Sequence, residues 1–322
     1  MIISLLAKPF SFTERLAKDL ERRFNYIKYT IMGNAYKAWT CTFPAGGHQD
    51  IVDSFIKGAK FYQEVEVRIN PSRQEAEGSV IYIPSGWKAL RDAIWLKKSG
   101  KIDKIITGPV GANIDDYDGI ILSGAIDACV VPCEWYKKKC EKEAAEKNLR
   151  FDNIQVWPVG VDHNVWNPSR GINSENMRRA LVYVKGKGVR MLEATQEVLR
   201  GEHKECRIIM CGGHTPREYK ELLEWCDFVV YLGHSETQGL ALAQAWAMDR
   251  QTLVYEPELF FYDGLDAAPY LTEFTGRKWH DPDSLRERLQ SLAVLSPREW
   301  ILKNQTNEIA FGNFLKIIEK LR

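Results

Sequence analysis

Short apolar runs alternate along the chain with longer segments in which apolar residues recur at helical spacing. A short apolar run is typical of a strand, and the helical repeat is typical of a helix with one buried face. In the first half, strands are predicted at 2–6, 38–43, 64–69, 79–83, 103–107, 118–122 and 127–131. Helices are predicted at 11–24, 49–62, 87–98 and 137–149. Because glycine and proline occur at the strand ends, the alternation favours a parallel sheet covered on both faces.

The second half of the chain repeats this alternation. Strands are predicted at 179–184, 206–211, 227–232 and 251–257, and helices at 189–199 and 216–226. In the first of these helices, Val189, Leu192 and Val198 are expected to face inward.

A segment rich in proline and polar residues joins the two halves and continues to about residue 174. We therefore predict an N-terminal domain over 1–168 and a C-terminal domain over 169–322. Both lengths agree with a typical domain size of about 150 residues. A last helix is predicted over about 297–320. It begins with a capping box in which Ser296 is the N-cap, Pro297 the first helical residue and Glu299 the third.

Composition and charge narrow the class of protein. The 322 residues carry a net charge of +1, which gives no reason to expect a general nucleic-acid binder. No apolar run reaches the roughly 18 residues of a membrane-spanning helix, and the apolar stretch at the N-terminus is too short for a signal peptide. A cytoplasmic protein is therefore the expectation. The seven cysteines lack a metal-ligand spacing, so we expect reduced, mostly buried thiols.

One stretch carries the strongest chemical signal. The apolar run 227–232 leads into a polar loop, and Gly239 precedes a helical pattern through Ala247. Such a strand, loop and helix present the backbone N–H groups of Gly239 and Leu240, with the helix dipole behind them, to an anion such as a diphosphate. An ordinary strand–loop–helix of a doubly wound domain, with a polar loop, is the alternative.

The run HSETQGLALAQA (234–245) resembles the S-x-x-E-x-x-G-x-x-x-x-E-A segment of retaining glycosyltransferases with the GT-B fold, above all glycosyltransferase family 4. The first glutamate of that segment corresponds to Glu236, and Gln244 stands where the family has its second. The resemblance implies that Glu236 binds hydroxyls of the donor sugar and Gln244 the ribose. Gln244 keeps a hydrogen bond without the charge. His234 and Thr237 would line the donor site with Gly239 and Leu240.

Two further segments resemble the same family. IDACVVPCEWY (126–136) is similar to its last N-domain strand, with Cys133 in place of a serine. WPVGVDHNVWNP (157–168) is similar to the interdomain signature P-N-G-V-D-x-x-x-F-x-P, with Val159 for the asparagine and Trp166 for the phenylalanine.

A basic, glycine-rich turn follows the strand at 179–184 with the sequence KGKG. Two lysines at such a turn could hold a diphosphate, and a solvated basic turn is the other interpretation. The family has an arginine and a lysine here on the donor diphosphate, which implies that Lys185 and Lys187, with Gly186 between them, stabilise the leaving group.

Other glycine pairs follow predicted strands. Gly212 and Gly213 resemble a G-x-G segment that lies near the nucleotide base in the family. Gly46 and Gly47 resemble a loop that contacts donor phosphate or acceptor, and His48 beside them is either a donor-site residue or an exposed, idle histidine. The family's histidine in the middle of the N-domain is missing, because residues 49–162 contain none.

The resemblance implies an α/β protein of the GT-B fold, with two Rossmann-like, doubly wound domains facing a cleft and a C-terminal helix crossing back to the N-domain. It also implies retaining transfer of a sugar from a nucleotide-sugar to a glycan, lipid-linked or other hydroxyl acceptor, as in polysaccharide biosynthesis. No D-x-D motif ends a strand, so neither a metal nor another cofactor is expected.

Two alternatives remain. One is a sugar-nucleotide epimerase or hydrolase, and the other is an inactive scaffold that binds nucleotide or glycan. A peripheral contact with the inner face of the membrane through Trp87, Trp95, Lys97 and Lys98 competes with an ordinary core helix that ends in lysines.

Overall fold

The computed structural model describes residues 1–6, 46–109, 114–115, 119–169, 171, 177–233, 235–257 and 264–321. These residues form two compact units. The first contains 1–6, 47–160 and 305–321, and the second contains 161–304. The chain therefore returns to the first unit after the second is complete.

The strands of the described residues are β1 Ile2–Leu5, β2 Glu66–Ile69, β3 Val80–Ile83, β4 Lys104–Thr107, β5 Ala128–Val131, β6 Ile154–Val156, β7 Arg179–Val184, β8 Glu205–Met210, β9 Phe228–Leu232, β10 Thr252–Tyr255 and β11 Gly276–Trp279. The α-helices are α1 Gly46–Ala59, α2 Trp87–Lys98, α3 Glu134–Glu146, α4 Leu192–Gly201, α5 Pro216–Trp225, α6 Leu240–Ala247, α7 Pro282–Gln290, α8 Pro297–Asn304 and α9 Asn307–Lys320.

Each unit is built on one parallel sheet. The first has the strand order β2-β1-β3-β4-β5-β6, and the second has the order β11-β10-β9-β7-β8. All residues of β3, β5 and β9 are buried, as expected for strands with both faces covered. In each sheet the first strand lies between the second and the third, so chain direction across the sheet reverses beside it. Doubly wound sheets bind ligands at this reversal, beyond the carboxyl ends of the strands.

The last helix, α9, closes one face of the first unit together with α1. Phe314 packs against Phe55 at 5.0 Å, Tyr82 at 4.6 Å and Trp157 at 5.2 Å between ring centroids. The indole of Trp157 also donates a hydrogen bond of 2.8 Å to the carbonyl of Ala310. The C-terminal segment is thus part of this core.

Replacing Phe314 with alanine is expected to lower the free energy of unfolding by about 3 to 5 kcal/mol, because it leaves a cavity inside the aromatic cluster. Urea unfolding followed by tryptophan fluorescence would measure the loss. Leu302→Ala on α8, where the side chain is 41% exposed, is the control and should cost under about 1 kcal/mol. Equal effects of the two substitutions would contradict the assignment of α9 to the core.

Several predicted elements have different boundaries in the structure. The predicted strand at 118–122 is wrong, because Gly119 adopts a left-handed conformation (φ 69°) and Ile120–Leu122 form a 3-10 turn. The predicted helix at 189–199 is a 3-10 segment, Gly186–Met191, followed by α4, and Val189 is 41% exposed rather than inward. Helix α1 begins at Gly46, three residues before the predicted start.

The predicted terminal helix at 297–320 is two helices rather than one. The chain breaks after Asn304, and the hydroxyl of Thr306 starts α9 by accepting the N–H of Ile309. Glu299 is paired with Lys303 at 2.5 Å. Strand β11 and helix α7, with its own capping box of Asp281 and Ser284, had not been predicted. The predicted helix 11–24 and strand 38–43 lie outside the described residues.

The described part of the chain contains no helix that is both long and apolar enough to cross a membrane. The six cysteines in that part are thiols rather than halves of disulfides, and four of them are buried.

Candidate active site

The second sheet places two charged side chains together at the carboxyl ends of β7 and β9. Lys185 directly follows β7, and its amide donates a hydrogen bond of 2.8 Å to the carbonyl of Leu232 at the end of β9. Gly188 packs on the same carbonyl so closely that an added Cβ would lie 2.0 Å from the oxygen. The KGKG turn is therefore fixed against the end of β9, at the point where the sheet reverses direction.

The central feature is an ion pair. Nζ of Lys185 lies 2.5 Å from Oε1 of Glu236, and the hydroxyl of Tyr231 donates a hydrogen bond to the same oxygen. Glu236 is 5% exposed, whereas the side chain of Lys185 is 39% exposed. Burial and the charge of Glu236 raise the pKa of Tyr231 well above its usual value, so the phenol stays protonated and remains a donor.

The backbone at Glu236 is held by a loop distant in sequence. The amide of Glu236 donates to the carbonyl of Asp266 at 2.7 Å. Lys278 on β11 fixes this loop, because its ammonium donates to Asp266 at 3.0 Å and to Glu256 at 2.8 Å. Burial lowers the pKa of Lys278, but hydrogen bonds to the two carboxylates outweigh it and raise the pKa above the usual value. The lysine is thus charged and clamps the loop that positions Glu236.

Helix α6 begins four residues after Glu236. Its N-cap, Gly239, has a left-handed backbone (φ 63°), which glycine adopts without strain. The first N–H groups of a helix have no partner within the helix, so the start of α6 is suited to an anion. Thr237 and Gln244 are half-buried on the loop and the helix, respectively.

An aromatic cluster packs beneath the ion pair. Tyr183 stacks on Tyr231 with ring centroids 5.3 Å apart and an angle of 11°. Nε2 of His214 lies 3.5 Å from the hydroxyl of Tyr183, and burial lowers the pKa of His214 below its usual value. Tyr219 donates to the carbonyl of Ala241, which ties α5 to α6. Tyr231 is therefore held by the stacked ring of Tyr183 and, at its hydroxyl, by Glu236.

The structure distributes the residues predicted from the sequence as follows. Lys185, Gly186 and Glu236 lie together, and Thr237, Gly239, Leu240 and Gln244 continue from Glu236 along the loop and α6. Gly212 and Gly213 follow β8 and immediately precede His214. Lys187 is exposed on the 3-10 segment. His234 lies outside the described residues. Gly46, Gly47 and His48 form the first turn of α1, so they are not in a loop before the helix as predicted.

The sequence alone did not single out Tyr231, Asp266 or Lys278. Tyr231 lies in an apolar strand run, where the sequence indicates only a core residue. Asp266 and Lys278 follow Glu236 by thirty residues or more. The one signal for Tyr231 in the sequence is a hydroxyl-bearing residue next to the end of an otherwise apolar strand.

A titrating carboxyl lies two residues after His48. Burial and the charge of Asp53 raise the pKa of Asp50 to about 6, against a weaker opposing effect of Lys57. A raised pKa means that the folded state holds the proton more tightly, so this contribution to stability is complete below about pH 4 and is lost as the pH rises to about 6.

Asp50→Asn is therefore expected to leave stability unchanged near pH 4 and to raise it by on the order of 2 kcal/mol at pH 7. Thermal melts of both proteins from pH 4 to pH 7.5 would show the gain. Asp152→Asn, at a side chain that is 72% exposed, is the control. A difference in melting temperature that does not vary with pH would contradict the raised pKa.

Two parallel sheets of six and five strands, each flanked by helices, are the architecture of the GT-B fold, and comparison with solved structures agrees. The chain is similar to Anabaena HepE, solved in complex with UDP and glucose, with a TM-score of 0.53 and 10% identity over 99% of this chain and 100% of HepE. AviGT4, a glycosyltransferase involved in avilamycin A biosynthesis, gives a TM-score of 0.51 and 13% identity over 87% of this chain and 91% of AviGT4. TarM gives a TM-score of 0.52 and 13% identity over 74% of this chain, which spans 54% of TarM.

No protein-family model matches the chain, and no curated protein matches its sequence. At these identities the structural likeness shows the fold.

Proposed function

We propose that the protein is a glycosyltransferase that takes a sugar from a nucleotide-sugar and transfers it, with retention and without a metal, to a hydroxyl acceptor. The observation that carries this proposal is the Lys185–Glu236 pair at the reversal point of the second sheet, with α6 beginning four residues after Glu236. The cation and the helix N-terminus match the diphosphate of the donor and the charge that develops on it as it leaves, and the buried carboxylate matches the sugar hydroxyls.

In this proposal each residue has a defined task. Lys185 and the N–H groups at the start of α6 bind the diphosphate and stabilise the charge that develops on it, with Lys187 adding positive charge from the surface. Glu236 accepts hydrogen bonds from sugar hydroxyls, and Gln244 binds the ribose. Gly212 and Gly213 lie near the base. Because these groups supply the positive charge, no metal is needed to hold the diphosphate.

The acceptor is proposed as a glycan, a lipid-linked sugar or another hydroxyl compound. HepE, which has a similar fold, was solved with UDP and glucose, and this makes uridine and hexose compounds the first donors to try.

The test is thermal stabilisation by a panel of nucleoside diphosphates and nucleotide-sugars in the presence of EDTA. We expect one base to raise the melting temperature, and its nucleotide-sugars to raise it further. Lys185→Met should lose most of both shifts. Lys303→Met, which removes a lysine 68% exposed on α8, should keep them. If no compound of the panel stabilises the protein, the proposal is wrong.

A scaffold that binds nucleotide or glycan without catalysis is the second candidate. It is favoured by Gln244, which cannot supply the negative charge of the glutamate that the resemblance calls for. Stabilisation by a nucleotide-sugar, with neither transfer to any acceptor nor hydrolysis of the donor, would decide for the scaffold.

A further inference from the structure

When a donor binds, Lys185 has two competing anionic partners, Glu236 and the diphosphate. Its ammonium is 2.5 Å from a carboxylate that is almost fully buried, and the same ammonium is the group proposed to bind the diphosphate. Nζ is the tip of a flexible chain with 39% of the side chain exposed, so it can move, whereas Glu236 is held by the Tyr231 hydroxyl and by its own amide.

We propose that Glu236 competes with the diphosphate for Lys185, and that this competition makes the site select nucleotide-sugars over free nucleoside diphosphates. The inference rests on the proposed function and concerns the same site. When a diphosphate binds Lys185, the lysine separates from Glu236. The buried carboxylate of Glu236 then loses the cation paired with it, which is unfavourable. A nucleotide-sugar brings hydroxyl groups that donate to Glu236 and replace the lost partner.

Tyr231 makes this exchange possible. Its hydroxyl donates to the same oxygen of Glu236 as Lys185 does, so the carboxylate keeps this donor when the lysine moves. The stacked ring of Tyr183 and the complete burial of Tyr231 prevent the phenol from following. Glu236 therefore stays where the sugar must bind. The free nucleoside diphosphate, which is the product of transfer, lacks the hydroxyl groups of the donor sugar. It therefore dissociates more readily than the nucleotide-sugar.

The experiment is calorimetric titration with UDP, GDP, ADP, CDP and dTDP, followed by the nucleotide-sugars of the base that binds. In Glu236→Gln the side chain is neutral, so the ion pair with Lys185 is lost. We expect the diphosphate to bind on the order of tenfold more tightly than to the wild type, while the nucleotide-sugar loses its advantage over the diphosphate.

A double-mutant cycle separates competition from simple repulsion between Glu236 and the phosphates. In a Lys185→Met background, competition predicts that Glu236→Gln no longer tightens diphosphate binding, because no lysine is released. Repulsion predicts the same tightening with or without Lys185. Glu221→Gln, which removes a carboxylate paired with Arg217 on the surface of α5, is the control and should leave all affinities unchanged.

The outcomes are distinct. Tighter diphosphate binding in Glu236→Gln that depends on Lys185 supports the inference. Unchanged or weaker binding, or tightening that persists without Lys185, overturns it and leaves the proposed function standing if the wild type binds a nucleotide-sugar. If the wild type binds no compound of either series, both fall together.

Discussion

Glu236→Gln is expected to lower kcat/KM for sugar transfer by about 100-fold to 1000-fold, the range for loss of one preorganised polar group at a reacting centre. The amide keeps the shape of the side chain, but its neutral oxygen replaces the negatively charged carboxylate that accepts hydrogen bonds from the sugar hydroxyls. The rate is measured as release of nucleoside diphosphate at saturating acceptor. Because diphosphate binding persists in this variant, the loss would lie in the reaction and not in the fold.

Asp227→Asn is the matched control for this substitution. Asp227 is also a buried carboxylate paired with a cation, Arg179 at 2.8 Å, but it precedes β9 whereas Glu236 follows it. The substitution should reduce stability and leave kcat/KM within about threefold, since the site lies at the other end of the strand. A similar loss of activity in both variants would show that Glu236 acts only through stability.

Much of the fold follows from the sequence because buried parallel strands have a simple signature. Within the predicted strands 127–131 and 227–232, residues 128–131 and 228–232 are apolar at every position, since both faces are covered, and these residues are the strands of the structure. The run at 118–122 also ends in three aliphatic residues, but Gly119 adopts a left-handed conformation and Ile120–Leu122 form a 3-10 turn. The aliphatic residues alone do not distinguish these cases, because a short aliphatic run fits both a buried strand and a partly buried turn.

The candidate site, too, has a part that the sequence predicts and a part that it does not. Glu236 and Lys185 are predictable as a set because both follow apolar runs, and parallel strands bring their carboxyl ends to one edge. Their pairing at 2.5 Å depends on the strand order, in which β7 and β9 are neighbours although β8 separates them in sequence. The contact of Tyr231 depends on Gly233, where an added Cβ would lie 2.2 Å from the Tyr231 ring. Such three-dimensional constraints leave no periodic pattern in a single sequence.

Gly188→Ala is expected to have the second large effect, because it acts on the turn that carries Lys185. The added Cβ would lie 2.0 Å from the carbonyl oxygen of Leu232 and 2.5 Å from its carbon, and both are backbone atoms that cannot move aside. Relief requires the turn to shift away from β9, which breaks the hydrogen bond from the Lys185 amide to that oxygen. We expect the free energy of unfolding to fall by about 2 to 3 kcal/mol.

Nucleotide affinity should also fall, by at least about tenfold, because the displaced turn carries Lys185 away from the carboxyl ends of β7 and β9, where the diphosphate is proposed to bind. Urea unfolding and titration with the diphosphate that binds the wild type measure the two effects. Gly201→Ala is the control, since Gly201 ends α4 with open space around its Cα, and alanine there should stabilise the helix by up to about 1 kcal/mol. If Gly188→Ala lowered stability but left diphosphate affinity unchanged, the position of the KGKG turn against β9 would not matter for binding. The role of Lys185 in holding the diphosphate would then be contradicted.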